Sequence, residues 1–155
     1  MKKSTATFLM TMATATIWLL YLALSPTKII AVHVSDRAAR ILLEHPPLTR
    51  RTKILWWKQN VDMLRQQYNI PVIDADGYFY VSVWDFADGY KEEERKDRLC
   101  FDDMQPPRNC IEKEWVMTIQ RSVSSGHTLF DIGDETYEMF PDGAIHKQHF
   151  TFQVR

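Results

Sequence analysis

The chain has 155 residues, a formal charge of −1, 45% hydrophobic and 12% aromatic residues. That apolar content excludes a globally disordered chain, and no internal repeat is present to build a solenoid. Charge is unevenly placed: Ser25 to Asn60 carries a net +5 and Val61 to Arg155 a net −8, an acidic distal half that repels phosphates and argues against a nucleic-acid partner.

Lys2 and Lys3 precede an uncharged run whose apolar centre, Thr5 to Leu24, holds Phe8, Leu9, Met10, Ile17, Trp18, Leu19, Leu20, Tyr21 and Leu22. Twenty helical residues span roughly 30 Å, the thickness of a bilayer's hydrocarbon core. This predicts a cytoplasmic tail over 1–4, a transmembrane helix over 5–24 and a folded domain over 25–155, with the lipid bilayer as first partner. The threonines suit such a helix, because their hydroxyls can bond back to backbone carbonyls. The rival reading is a signal peptide cleaved after Ala23-Leu24-Ser25, where Pro26 fits poorly at the cut. Lys2 and Lys3 favour an inside N-terminus, while Lys28, Arg37 and Arg40 on the other flank blur that count.

The β-branched run Thr27 to Val34 predicts a strand, Ser35-Asp36 a turn, and Ala38 to His45 a returning strand ended by Pro46-Pro47. A helix follows, with Thr49 as its N-cap and Pro71 as its stop. Ile54, Trp57, Val61, Leu64 and Tyr68 recur at steps of three and four, which places them on one buried stripe. Trp56 falls off that stripe and is left free for a partner. Gly77 to Phe86 reads as a central strand, with Phe79, Val81 and Val83 on one face and Tyr78, Tyr80, Trp84 and Ser82 on the other. Trp115 to Arg121, His127 to Ile132, Glu135 to Phe140 and Ala144 to Val154 read as further strands, with a Pro141-Asp142-Gly143 turn before the last. The expected fold class is α+β: an N-terminal transmembrane helix, then a small antiparallel sheet with one packed amphipathic helix.

Cys100 and Cys110 bracket a polar loop carrying Pro106-Pro107. In an oxidising compartment the pair reads as one disulfide; the rivals are a metal pair or two unrelated thiols, and two cysteines without nearby histidines do not make a tetrahedral zinc site.

Several stretches resemble an uncharacterised enterobacterial membrane-protein family, a domain of unknown function with a single N-terminal transmembrane helix. They are Trp84-Asp85-Phe86-Ala87-Asp88-Gly89-Tyr90-Lys91-Glu92-Glu93, Asp97-Arg98-Leu99-Cys100-Phe101-Asp102-Asp103-Met104 and Asn109-Cys110-Ile111-Glu112-Lys113. The N-terminal run, Ile30-Ala31-Val32-His33, Pro47-Leu48-Thr49, Trp56-Trp57 and Tyr68-Asn69-Ile70-Pro71 also resemble it. The similarity covers most of the chain and thins after about Arg121. It implies a Gram-negative inner-membrane protein, single-pass, with a periplasmic C-terminal domain, and brings no activity, cofactor or catalytic residues.

The residues offer little chemistry. The acidic cluster Asp85, Asp88, Glu92, Glu93, Glu94, Asp97, Asp102 and Asp103 is interleaved with Lys91, Arg95, Lys96 and Arg98. It reads first as a solvated, self-neutralising loop, then as a partner-binding loop, and last as paired carboxylates or a hard-cation site. Asp74-x-Asp76-Gly77 resembles a calcium loop only in its first positions. His146 and His149 would point to opposite faces of a strand, and Ser124-Ser125-Gly126-His127 is a turn rather than a triad. His33 and His45 read as structural. No cofactor, metal or enzymatic activity is expected. The leading expectation is a membrane-anchored periplasmic interaction module, in its specific form an immunity-type protein against an envelope-targeted toxin. Trp56, Trp84, Asp85, Asp88, Tyr90, Asp102 and Asp103 are its candidate contacts with a protein partner. The alternatives are an assembly subunit of an envelope complex and a hydrolase using the acidic loop.

Overall fold

The structure, a computed structural model, describes residues 10–14, 16–18, 25–94 and 97–148. Most of the expected transmembrane run, 5–9, 15 and 19–24, therefore lies outside the described residues, as do His149 and the end of the last expected strand. Among the described residues no helix is long and apolar enough to cross a membrane. Residues 10–14 and 16–18 are helical, and the threonine hydroxyls there turn inward on the backbone. Thr14 donates to the Met10 carbonyl at 3.2 Å and Thr16 to that of Met12 at 2.8 Å.

The folded part is a seven-stranded sheet with one helix and a two-stranded ribbon. In chain order the elements are β1 (Lys28–Ser35), β2 (Ala38–Glu44), α1 (Arg50–Tyr68), β3 (Tyr80–Asp85), β4 (Leu99–Cys100), β5 (Cys110–Ile111), β6 (Trp115–Arg121), β7 (Thr128–Ile132), β8 (Glu135–Met139) and β9 (Ile145–Lys147). The sheet order is β1-β2-β3-β6-β7-β8-β9, and β4 pairs with β5 alone.

The sheet is mixed, which corrects the all-antiparallel expectation. β2 and β3 run parallel, Ala38 opposite Tyr80 through Leu43 opposite Asp85. The reason is the position of α1 in the chain: a helix joining two neighbouring strands carries the chain back to its starting end, so the second strand repeats the direction of the first. The other pairings are antiparallel: short turns join β1 to β2, β6 to β7, β7 to β8 and β8 to β9, while β3 reaches β6 through the long 86–114 segment.

α1 begins and ends on local chemistry. The Thr49 side chain accepts from Thr52 N–H at 3.1 Å, and the Thr52 hydroxyl accepts from Thr49 N–H at 3.0 Å, so two orphan donors are satisfied reciprocally. At the other end Asn69 turns left-handed at φ 54°, and Ile70 N–H returns to the Leu64 carbonyl at 3.4 Å. Ile54, Trp57 and Leu64 pack on Ala39, Ile41, Leu43, Val81, Val83, Met117, Ile119, Phe130 and Ile132. The expected split of the central strand holds: Phe79, Val81 and Val83 join this core. On the opposite face Trp84 Nε1 donates to the Ser82 hydroxyl at 2.8 Å, and Trp115 Nε1 donates to that of Thr118 at 3.1 Å.

Trp56 departs from expectation. It is only 7% exposed and belongs to the helix-side core. Its position flanks the stripe, but an indole is long enough to reach the core from a flanking position, so it is anchored rather than left for a partner.

Candidate functional site: the disulfide-closed acidic face

On the sheet face opposite α1, a smaller core of Leu42, Phe101 and Ile111 is completed by Ala31, Trp84, Phe86, Tyr90, Leu99 and Met104. It is the underside of the segment from Phe86 to Glu114, which folds back over β1 and β2. Several devices hold the segment down.

The first is covalent. Cys100 and Cys110 sit opposite each other in the β4–β5 ribbon and are joined by a disulfide, and no free cysteine remains. Lys91 pairs with Cys110 through both backbone bonds, at 2.7 and 3.1 Å, tying the start of the segment to the same ribbon.

The second is a charge cluster. Glu112 accepts from Lys91 and from Arg98, whose side chain is only 7% exposed, both at 3.2 Å. Arg98 also reaches Glu94 at 3.3 Å and the Glu92 carbonyl. The hydrogen bond from Lys91, and then that from Arg98, hold the Glu112 carboxyl below its ordinary pKa; the Lys91 ammonium is raised in return, by Glu112 first and Asp88 second.

The third is His33, on β1. Its Nδ1 lies 2.9 Å from each oxygen of the Asp103 carboxylate, its Nε2 lies 2.8 Å from the Tyr90 hydroxyl, and its ring stacks on Phe101 at 3.9 Å. Burial, and then the Asp103 charge, push the Tyr90 phenol upward, so it stays neutral as a hydrogen-bonding group. Asp103, His33 and Tyr90 have the order of a proton relay. His33 is buried and spends both ring nitrogens inside the cluster, so the arrangement positions the loop rather than presenting a base to solvent.

The sequence-predicted contacts thus separate into two groups. Trp84, Tyr90 and Asp103 are brought together, but as parts of the small core and its clasp. Asp85 caps the following turn by accepting from Ala87 N–H at 2.9 Å. Asp88 is exposed and reaches Lys91 at 3.2 Å. Asp97 pairs with Lys113. Among the described residues the exposed carboxylates of Glu92, Glu93, Asp102 and Glu114 have no hydrogen-bond or ion-pair partner; the first three are outer charges of this segment, and Glu114 stands at its end beside Pro46, Leu48 and Lys53. Trp56 is not part of it. His33, Arg98 and Glu112 are the residues that sequence reasoning missed. The one local hint was Phe101, an aromatic in an otherwise polar loop, which required something beneath it.

The remaining motifs are structural in the fold. The Asp74 carboxylate accepts from Asp76 N–H at 3.0 Å and Tyr78 N–H at 2.8 Å, closing a turn. The His127 backbone N–H donates to the Ser125 hydroxyl at 3.3 Å, while the Ser125 hydroxyl and the His127 ring both meet the Glu138 carboxylate, at 2.7 and 2.8 Å, so no serine–histidine relay is formed. His146 packs edge-on to Phe140. Among the described residues no group of three or more His, Cys, Asp or Glu is placed to hold a metal.

The chain belongs to the family described as Enterobacterial putative membrane protein (DUF943), whose sequence model matches residues 1–149. The match runs past Arg121, where the resemblance seen in the sequence thins, and it takes in the whole acidic face. It makes this a membrane protein family member. No curated protein and no solved structure matches the chain.

Proposed function

We propose that this member of a membrane-protein family is an anchored interaction module that presents its disulfide-closed acidic face to a basic protein partner outside the cytoplasm. The observation that carries the reading is the division of labour among the carboxylates. Glu112 and Asp103 are spent on holding the segment, while Glu92, Glu93, Asp102 and Glu114 are exposed and unpaired among the described residues. A self-neutralising loop would pair its outer charges as well. Fixed charges on an immobilised loop speed encounter with a partner of opposite sign and lose little entropy on binding.

In this reading the run over 5–24 is an uncleaved anchor, the N-terminus is cytoplasmic and the domain is periplasmic, where the disulfide is stable. The specific form is an immunity-type protein that blocks a toxin delivered to the envelope. The test uses the full-length chain in its own membrane, crosslinked and purified alongside a variant carrying Glu92→Lys, Glu93→Lys and Asp102→Lys. A co-purifying protein is expected with the wild type and not with the variant. Expression in a sensitive cell challenged with toxins encoded beside the gene is expected to protect. Neither protection nor a charge-dependent partner would sink the proposal, and a reporter fused after Arg155 that is active only in the cytoplasm would overturn the topology.

A further inference from the structure

A second surface lies where the chain leaves its apolar run. A groove of about 590 Å³ is bounded by Ser25 and Thr27, by the β2–α1 turn and by the α1 residues Thr52, Leu55, Trp56 and Gln59. Ser25 is the residue next after the predicted span, so this groove is within a few residues of wherever that span ends. The Thr27 hydroxyl donates to the His45 carbonyl at 2.7 Å, which fixes the exit segment against the turn.

The composition of this surface is unusual for the molecule. From Pro46 to Val61 there is no carboxylate, while Arg50, Arg51, Lys53 and Lys58 all fall there. Arg50 is engaged by Glu135 at 2.7 Å and Lys53 by the Val116 carbonyl at 3.0 Å. Arg51 is exposed and has no partner among the described residues. Arg51 and Leu55, four apart, share the helix face turned away from the sheet, and Leu48, just ahead of the Thr49 cap, lines the same groove as Leu55. Leu48 is 78% and Leu55 47% exposed. Carboxylates stand at the margins of this surface: Asp62, paired with Arg65, and Asp85 and Glu114 beside Leu48 and Lys53. Exposed leucines flanking an unpaired arginine match the headgroup zone of an anionic bilayer, which takes apolar side chains at its acyl boundary and guanidinium at its phosphates.

We infer that Leu48, Arg51 and Leu55 seat this face on the surface of an anionic bilayer, which fixes the domain's tilt. The inference rests on the anchor reading above.

The experiment places a photoreactive benzophenone amino acid singly at Ile17, Leu48, Leu55 or Val123 in the full-length protein. Each is reconstituted in nanodiscs of phosphatidylcholine with or without phosphatidylglycerol, and lipid adducts are read by mass spectrometry. Val123, 91% exposed in the β6–β7 turn, is the distal control. Adducts are expected at Ile17 in both lipids, at Leu48 and Leu55 chiefly with phosphatidylglycerol, and not at Val123. Loss of one cationic contact is worth about fivefold in surface affinity, so Arg51→Gln is expected to lower the Leu48 and Leu55 adducts without changing that at Ile17. Adducts at Ile17 with only the Val123 background at Leu48 and Leu55 would overturn the seating and leave the anchor standing. No adduct at Ile17 would overturn the anchor itself, and equal Leu48 yields in the two lipids would overturn the role of lipid charge.

Discussion

Nδ1 of His33 lies 2.9 Å from both carboxylate oxygens of Asp103, across seventy residues of chain. That contact joins the edge strand β1 to the tip of the disulfide loop, and the stacked Phe101 shields it on one side. Asp103→Asn keeps the shape and removes the charge that two-oxygen acceptance depends on. Because Asp103 is half exposed, the expected loss of stability is about 1.5 kcal/mol, the low end for a hydrogen bond to a charged group. Asp102→Asn, one residue away and pointing to solvent, is expected to stay within about 0.5 kcal/mol. Thermal melts of the two variants side by side check the contrast. Equal effects would remove His33 as the clasp.

The disulfide constrains the same segment in the unfolded chain. Closing an eleven-residue loop contributes about 3 kcal/mol in the chain-entropy account. Cys100→Ala combined with Cys110→Ala is expected to lower stability by up to that amount. Amide exchange should rise from Phe86 to Glu114 and change little in α1, which packs on the opposite face. Protein purified from the envelope is expected to show no titratable thiol before reduction and two after it. Two thiols without reduction would count against an oxidising compartment.

Acid is expected to weaken the fold through its paired carboxylates. Glu112 is held below its ordinary value of 4.5 by Lys91 and then Arg98, Glu135 by Lys147 and then Tyr137, and Glu138 by Gln148 and then Ser125. In each case the unfolded chain takes up a proton before the folded one does, so stability falls as pH falls. The contribution is complete above about pH 4.5, the unfolded value, and is lost as pH drops through the lower folded values. Denaturant midpoints are expected to be flat from neutral pH to about 5 and to decline below that. Glu112→Gln should show a shallower decline, and an unchanged slope would show that the Lys91 and Arg98 contacts are not formed in solution.

The outline of the fold was legible wherever a local rule governed it. Thr49 capped the helix, Asn69-Ile70-Pro71 ended it, and the Val81 and Val83 alternation named the core face of β3, because propensity and period act within a few residues. The direction of β3 against β2 was also available, since a helix between neighbouring strands implies a parallel return, but the short turns elsewhere drew the reading to an antiparallel sheet. The clasp was not available. Nothing local to Ile30-Ala31-Val32-His33 says that the histidine meets a carboxylate from a loop seventy residues on, and the acidic run of that loop gives no sign of which carboxylates are spent inside. Pairing of that kind is decided by the tertiary fold, and only Phe101 hinted at it.

The helical stripe gives a last test, since period alone weights its members equally. Ile54, Trp57, Val61, Leu64 and Tyr68 share the spacing, yet Leu64 is fully buried and Tyr68 is 40% exposed at the last turn. Leu64 packs into the helix-side core. Leu64→Ala leaves a cavity there that rigid strands on the sheet side cannot close, and is expected to cost about 2–5 kcal/mol. Tyr68→Ala removes partly solvated surface beside Asn69, where the chain already leaves the helix, and is expected to cost less than about 1 kcal/mol. Chemical denaturation of both variants distinguishes the stripe read from spacing from the burial that tertiary packing imposes. A Tyr68→Ala loss as large as that of Leu64→Ala would mean that the helix continues against the sheet for another turn.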